Sequence, residues 1–104
     1  MVRHISIFFF KKEVEEKAKK NVMKTLVDLE GKLKGVVNYH VGEHCLPQPV
    51  HRTDTTPLFG ELVQMIDFTD REMAEKYPQS EEHMKMLKET CLCIEKVVVI
   101  DFEL

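Results

Sequence analysis

The chain has 104 residues, a length that suits one domain running over residues 1–104. Hydrophobic residues make up 43% and charged residues 32%, an ordinary mix for a globular protein. The net charge of −3, with both signs interspersed, supplies no basic field and argues against nucleic acid or an anionic membrane as a partner. The apolar run Ile5–Phe10 includes Ser6 and is too short for a signal-peptide core or a membrane span. Cys45, Cys91 and Cys93 are odd in number, and the last two sit too close to pair comfortably. That usage fits a reducing cytoplasm rather than a disulfide framework.

Arg3–Phe10 is rich in β-branched and aromatic residues, which predicts a first strand. Val14, Ala18, Val22, Leu26, Leu29 and Leu33 recur at spacings of three and four, which predicts a helix over 14–33 with Gly31 and Gly35 bracketing its end. Val36–Val41 reads as a second strand. Glu43–Pro57 carries three prolines and little periodicity and reads as a long loop, suited to a lid or an interface arm. A third strand lies within Leu58–Phe68. Thr69 and Glu72 have the spacing of a capping box for a short helix that Pro78 interrupts. Ser80 caps a further helix on which His83, Leu87, Cys91 and Ile94 share one face. Val97–Phe102 is the last strand. The order β-α-β-β-α-β predicts an α+β, ferredoxin-like fold: a four-stranded antiparallel sheet with its helices on one face.

Helices on one face leave the other face of the sheet bare, and a bare face should carry polar residues. The first strand is instead apolar on both sides, with Ile5, Ile7 and Phe9 on one and Phe8 and Phe10 beside Ser6 and His4 on the other. Val97-Val98-Val99-Ile100 has no polar side at all. Leaving such side chains in water forgoes about 1.5–3 kcal/mol each. A second copy packed on that face recovers this, so a homodimer is expected.

In these same segments the chain resembles the stress-responsive dimeric α/β-barrel (Dabb) family. The resemblance rests on Val2-Arg3-His4-Ile5, on Gly35-Val36-Val37 leading to Val41-Gly42-Glu43, and on Phe68-Thr69-Asp70-Arg71-Glu72. Tyr77-Pro78 with His83 downstream and Val97–Glu103 complete it. It implies a dimer whose two sheets close into a barrel. Members include plant stress-induced proteins and a plant polyketide cyclase, olivetolic acid cyclase, in which a histidine and a tyrosine six residues earlier carry aldol chemistry. His83 and Tyr77 match those positions, and His4 matches a pocket histidine on the first strand. Ser80-Glu81-Glu82-His83 stands where the family often has His-Pro-x-His, and Leu26 stands where the cyclase has an aromatic residue. Both differences separate this chain's substrate from the cyclase's.

His83 and Tyr77 are therefore the candidate catalytic pair. Histidine near its ordinary pKa can take a proton from carbon next to a carbonyl, and a tyrosine hydroxyl can orient or reprotonate the oxygen. His4, Ser6, Phe8, Leu26 and Leu87 are the candidate contacts for a small apolar or aromatic ligand. The competing reading of His83 is a hydrogen-bonded core histidine. His40, His44, Cys45 and His51 have side chains that suit zinc, but strand positions four apart lie about 13 Å from one another, so no metal and no other cofactor is expected. Cys91 and Cys93 lack the Cys-x-x-Cys spacing of redox motifs and read as buried structural thiols. The readings carried forward are a pocket protein with cyclase- or isomerase-like chemistry and a non-catalytic dimeric module that binds a ligand or protects other proteins under stress. Cofactor-free oxygenation, hosted by similar dimeric folds, is a third reading by fold analogy.

Overall fold

The structure, a computed structural model, describes residues 1–47 and 57–104. Its elements follow the expected order: β1 (Val2–Phe10), α1 (Glu16–Val27), β2 (Val36–Glu43), β3 (Leu62–Phe68), α2 (Arg71–Lys76), α3 (Glu81–Thr90) and β4 (Ile94–Glu103). A 3-10 turn at Tyr77–Gln79 joins α2 to α3. The strands form one antiparallel sheet in the order β2-β3-β1-β4.

Strand register sorts the side chains into two faces, because neighbours directly opposite one another share a side. Toward the helices run the rows Glu43–Leu62–Phe8–Val97, Val41–Gln64–Ser6–Val99 and Tyr39–Ile66–His4–Asp101. On the open side run Val63–Ile7–Val98, His40–Met65–Ile5–Ile100 and Asn38–Asp67–Arg3–Phe102. The alternation expected in β1 holds, with Phe8 and Phe10 buried beneath the helices. Val22 and Leu26 of α1 meet them in a core that also takes in Tyr39, Ile66, Phe68, Tyr77 and Met86.

On the open side, Val63, Ile7, Val98, Met65, Ile5 and Ile100 form an apolar block that ends at His40, and of these Val63, Val98 and Ile100 are exposed. A polar island borders it. Arg3 donates to both carboxylate oxygens of Asp67, at 2.8 and 3.0 Å, and Asn38 adds a third bond at 3.2 Å. The Arg3 guanidinium holds the Asp67 carboxyl below the usual carboxylate range. Four hydrogen-bonding lone pairs with three strong donors explain how Asp67 stays ionised with its side chain almost fully covered.

Three sequence expectations are corrected. The helix predicted over 14–33 stops at Val27; the chain then turns, and Leu29 reaches the core from that turn rather than from a helix. Gly35 has φ +71, and a Cβ there would collide with Met73, so only glycine lets the chain enter β2 at this spot. The cap of α2 is Asp70, not Thr69: Asp70 Oδ1 accepts from the Met73 N–H at 2.9 Å, while Glu72 turns outward to Lys76 at 2.8 Å. A carboxylate is a stronger acceptor than a hydroxyl beside the positive end of a helix. On α3 the inward stripe is His83, Met86 and Thr90, whereas Leu87 and Cys91 are exposed and Cys93 is half-buried. Ser80 does cap this helix, accepting from the His83 N–H at 3.2 Å. From that start, Met86 and Thr90 are the buried residues of the helix. The third strand, Leu62–Phe68, lies within the Leu58–Phe68 segment as expected. Pro49, His51 and Asp54, read as part of the long loop, lie outside the described residues.

Candidate functional site

The site grows from where α3 begins. Pro78 removes one backbone donor and interrupts α2, so the chain re-enters a helix at Ser80 with the Tyr77 ring turned inward. Tyr77 is buried, between Phe68 on one side and two histidines on the others. Its ring centroid lies 5.4 Å from that of His4 and 4.8 Å from that of His83, both edge-to-face. Three candidates that are 79 residues apart in sequence at most thus form one aromatic cluster.

Each histidine tautomer follows from its partners. His83 Nδ1 lies 2.9 Å from the Pro78 carbonyl oxygen, which can only accept, so Nδ1 carries the proton and Nε2 keeps its lone pair. Burial pushes the His83 pKa below its ordinary value of 6.5, against the smaller raising effect of that hydrogen bond, with His4 adding to the lowering. The ring is therefore neutral at pH 7. His4 Nδ1 lies 2.6 Å from Asp101 Oδ1, and its Nε2 lies 2.9 Å from Ser6 Oγ. Asp101 accepts from Nδ1–H, so in the neutral ring Nε2 accepts the Ser6 hydroxyl proton.

Beneath the rings runs a buried polar chain. The Gln64 side-chain amide donates to the Tyr39 hydroxyl at 3.0 Å and to the Tyr77 hydroxyl at 3.4 Å, and Tyr39 donates in turn to the Leu26 carbonyl. Burial pushes the Tyr77 phenol up to about 12, so it acts as a hydrogen-bond donor and never as a phenolate at neutral pH. Gln64 and Asp101 are the site residues that sequence reasoning missed. The signal for Gln64 was its place among apolar residues on the helix-facing side of β3. The signal for Asp101 was that an antiparallel β1–β4 pair in this register sets it opposite His4.

The other candidates divide. Ser6 is buried and touches His4. Phe8 and Leu26 are buried in the core under the site, and Leu87 is exposed on the outer side of α3. A cleft of about 520 Å³ reaches Tyr77 past Leu33, Phe68, Met73 and Ser80, and another of about 380 Å³ reaches Pro78 and Asp101 past Val2 and Ala74. Neither cleft is lined by His4 or His83. Of the group weighed for zinc, His40 sits on the open side of the sheet, His44 stands edge-on to Phe59, Cys45 is exposed, and His51 lies outside the described residues. No group of three or more His, Cys, Asp and Glu side chains suited to a metal occurs among the described residues.

The model of the stress responsive A/B barrel domain matches residues 2–104. The chain belongs to that family. Solved structures with the same fold include a dimeric ferredoxin-like protein of unknown function from Bacteroides fragilis, 20% identical with a TM-score of 0.77 over 99% of this chain and 95% of that one. A Dabb family protein with a ferredoxin-like fold from Mesorhizobium loti is 16% identical, with a TM-score of 0.74 over 99% and 95%. Hydroxynitrile lyase from Passiflora edulis is 19% identical, with a TM-score of 0.75 over 97% and 90%. No curated protein matches the chain. The Dabb fold thus serves both an enzyme and proteins of unknown function. No helix among the described residues is long and apolar enough to cross a membrane.

Proposed function

We propose that this Dabb protein is a cytoplasmic homodimer that performs acid–base chemistry on a small apolar carbonyl compound, in the manner of a cyclase or isomerase. The observation that carries the reading is the neutral His83 imidazole packed edge-on against the buried Tyr77 ring, with its Nε2 bonded to no described residue. A neutral imidazole can accept a proton from carbon next to a carbonyl, and a phenol with a high pKa can donate a hydrogen bond to the enolate oxygen that forms. The Passiflora hydroxynitrile lyase, although only 19% identical, supports the capacity of this frame to host chemistry. The open-side apolar block and the dimeric neighbours support the homodimer.

A second reading, a non-catalytic dimeric module that binds a ligand or protects other proteins, is favoured by one fact: neither cleft beside Tyr77 and Pro78 is lined by His4 or His83. Deuterium exchange separates the two. In D₂O with acetophenone or a short β-diketone, NMR should show protein-dependent loss of the protons next to the carbonyl, and His83→Gln should slow it by about 10²–10⁴-fold. Exchange that matches the buffer rate, or that His83→Gln leaves unchanged, removes the enzyme reading.

A further inference from the structure

We propose that Ser6 is a nucleophile for acyl transfer from small esters, activated by His4 and positioned by Asp101. This does not depend on the chemistry assigned to His83. Asp101 Oδ1, His4 Nδ1, His4 Nε2 and Ser6 Oγ form an unbroken chain with links of 2.6 and 2.9 Å. Because one end of the imidazole donates to a carboxylate, the other end of the neutral ring accepts from the serine hydroxyl, which is the arrangement that raises the nucleophilicity of a hydroxyl. The chain is assembled by sheet register alone. Ser6 and His4 are two apart on the helix-facing side of β1, and Asp101 stands directly opposite His4 on β4.

Access comes from the edge of the sheet. Ser6 is nearly covered, but its neighbour in the register is Val99 of β4, which is half exposed, as is Val97 beyond Phe8. The two valines are the exposed apolar side chains that the register sets along this edge beside Ser6 and Phe8. On the helix side the Tyr77 ring packs edge-on to His4, its oxygen accepts from Gln64, and its proton goes to no described residue. Gln64 is the residue opposite Ser6 on β3.

The reaction balances without a cofactor. Ser6 Oγ bonds to the acyl carbon as its proton moves to His4 Nε2, and the carbonyl electron pair moves to oxygen. Collapse breaks the bond to the leaving alcohol, which takes the proton from Nε2. Water then attacks the acyl-Ser6, passing one proton to Nε2 and from there back to Ser6 Oγ. Asp101 accepts from Nδ1–H throughout and is a positioning residue.

The test is treatment of the intact folded protein with an alkyl fluorophosphonate, which phosphonylates activated serines with loss of fluoride, followed by mass spectrometry. The expected result is a single adduct on the peptide that holds Ser6, abolished in Ser6→Ala and formed at least about tenfold more slowly in Asp101→Asn. Asp101→Asn retains Ser6 and alters only an exposed carboxylate, so it reads the chain even if Ser6→Ala folds poorly. Wild-type protein that remains unmodified at Ser6, or Asp101→Asn protein that reacts at the wild-type rate, overturns the proposal.

Discussion

His83 shows how local chemistry can be settled by a single backbone oxygen. The Pro78 carbonyl assigns its tautomer, and burial lowers its pKa from 6.5. The sign of the consequence follows from proton linkage. Between pH 6.5 and the lowered folded-state value, the unfolded chain binds a proton that the folded chain refuses, so stability rises with pH there and falls on acidification. An NMR titration should place the His83 midpoint below 6.5, and the acid limb of any His83-dependent exchange should follow the same midpoint. A midpoint at or above 6.5 would mean that the ring is solvated rather than packed against Tyr77. Gln64 makes the complementary point: a polar side chain on the covered face of a strand survives only with partners, and here both of its donors are used.

At the scale of elements, helix starts are decided by acceptor strength and phase. Thr69 and Glu72 have the right spacing for a capping box, yet Asp70 holds the α2 N-terminus. Asp70→Ala should cost about 1 kcal/mol in equilibrium denaturation, while Thr69→Ala should be close to neutral. The reverse ranking would restore the capping box. Leu26 anchors α1 as a fully buried side chain whose carbonyl also receives the Tyr39 hydroxyl. Leu26→Ala should therefore cost about 2–5 kcal/mol, read as a lower denaturation midpoint.

At the scale of the whole molecule, the sheet is wider than its helical cover. Every residue of β4 after Ile94 is exposed in the single chain, although Val97, Val98, Val99, Ile100 and Phe102 are apolar. Val98 and Ile100 continue the rows of Ile7 and Ile5 across the open side, which makes one contiguous apolar surface that the proposed second copy would cover. Ile100→Asp should convert the proposed dimer to monomer in sedimentation velocity at micromolar concentration. It should leave the Asp101–His4 pair in place, because adjacent strand residues point to opposite faces. An Ile100→Asp protein that still sediments as a dimer would place the interface elsewhere.

Much of this was legible in the chain itself. Strand periodicity and the four apolar residues at 97–100 identified the sheet, its order of elements and its surplus of apolar surface, because period-two alternation is a local property of the backbone. Tyr77, His83 and His4 were also legible as candidates. Their meeting was not, nor was the pairing of His4 with Asp101 or the relay through Gln64. Those contacts depend on strand register and on the rotation of α3 about its Ser80 cap, quantities that no single segment carries. Sequence determines which residues a face contains; only the packed fold decides which faces touch, since that choice is made by side chains far apart in the chain competing for the same space.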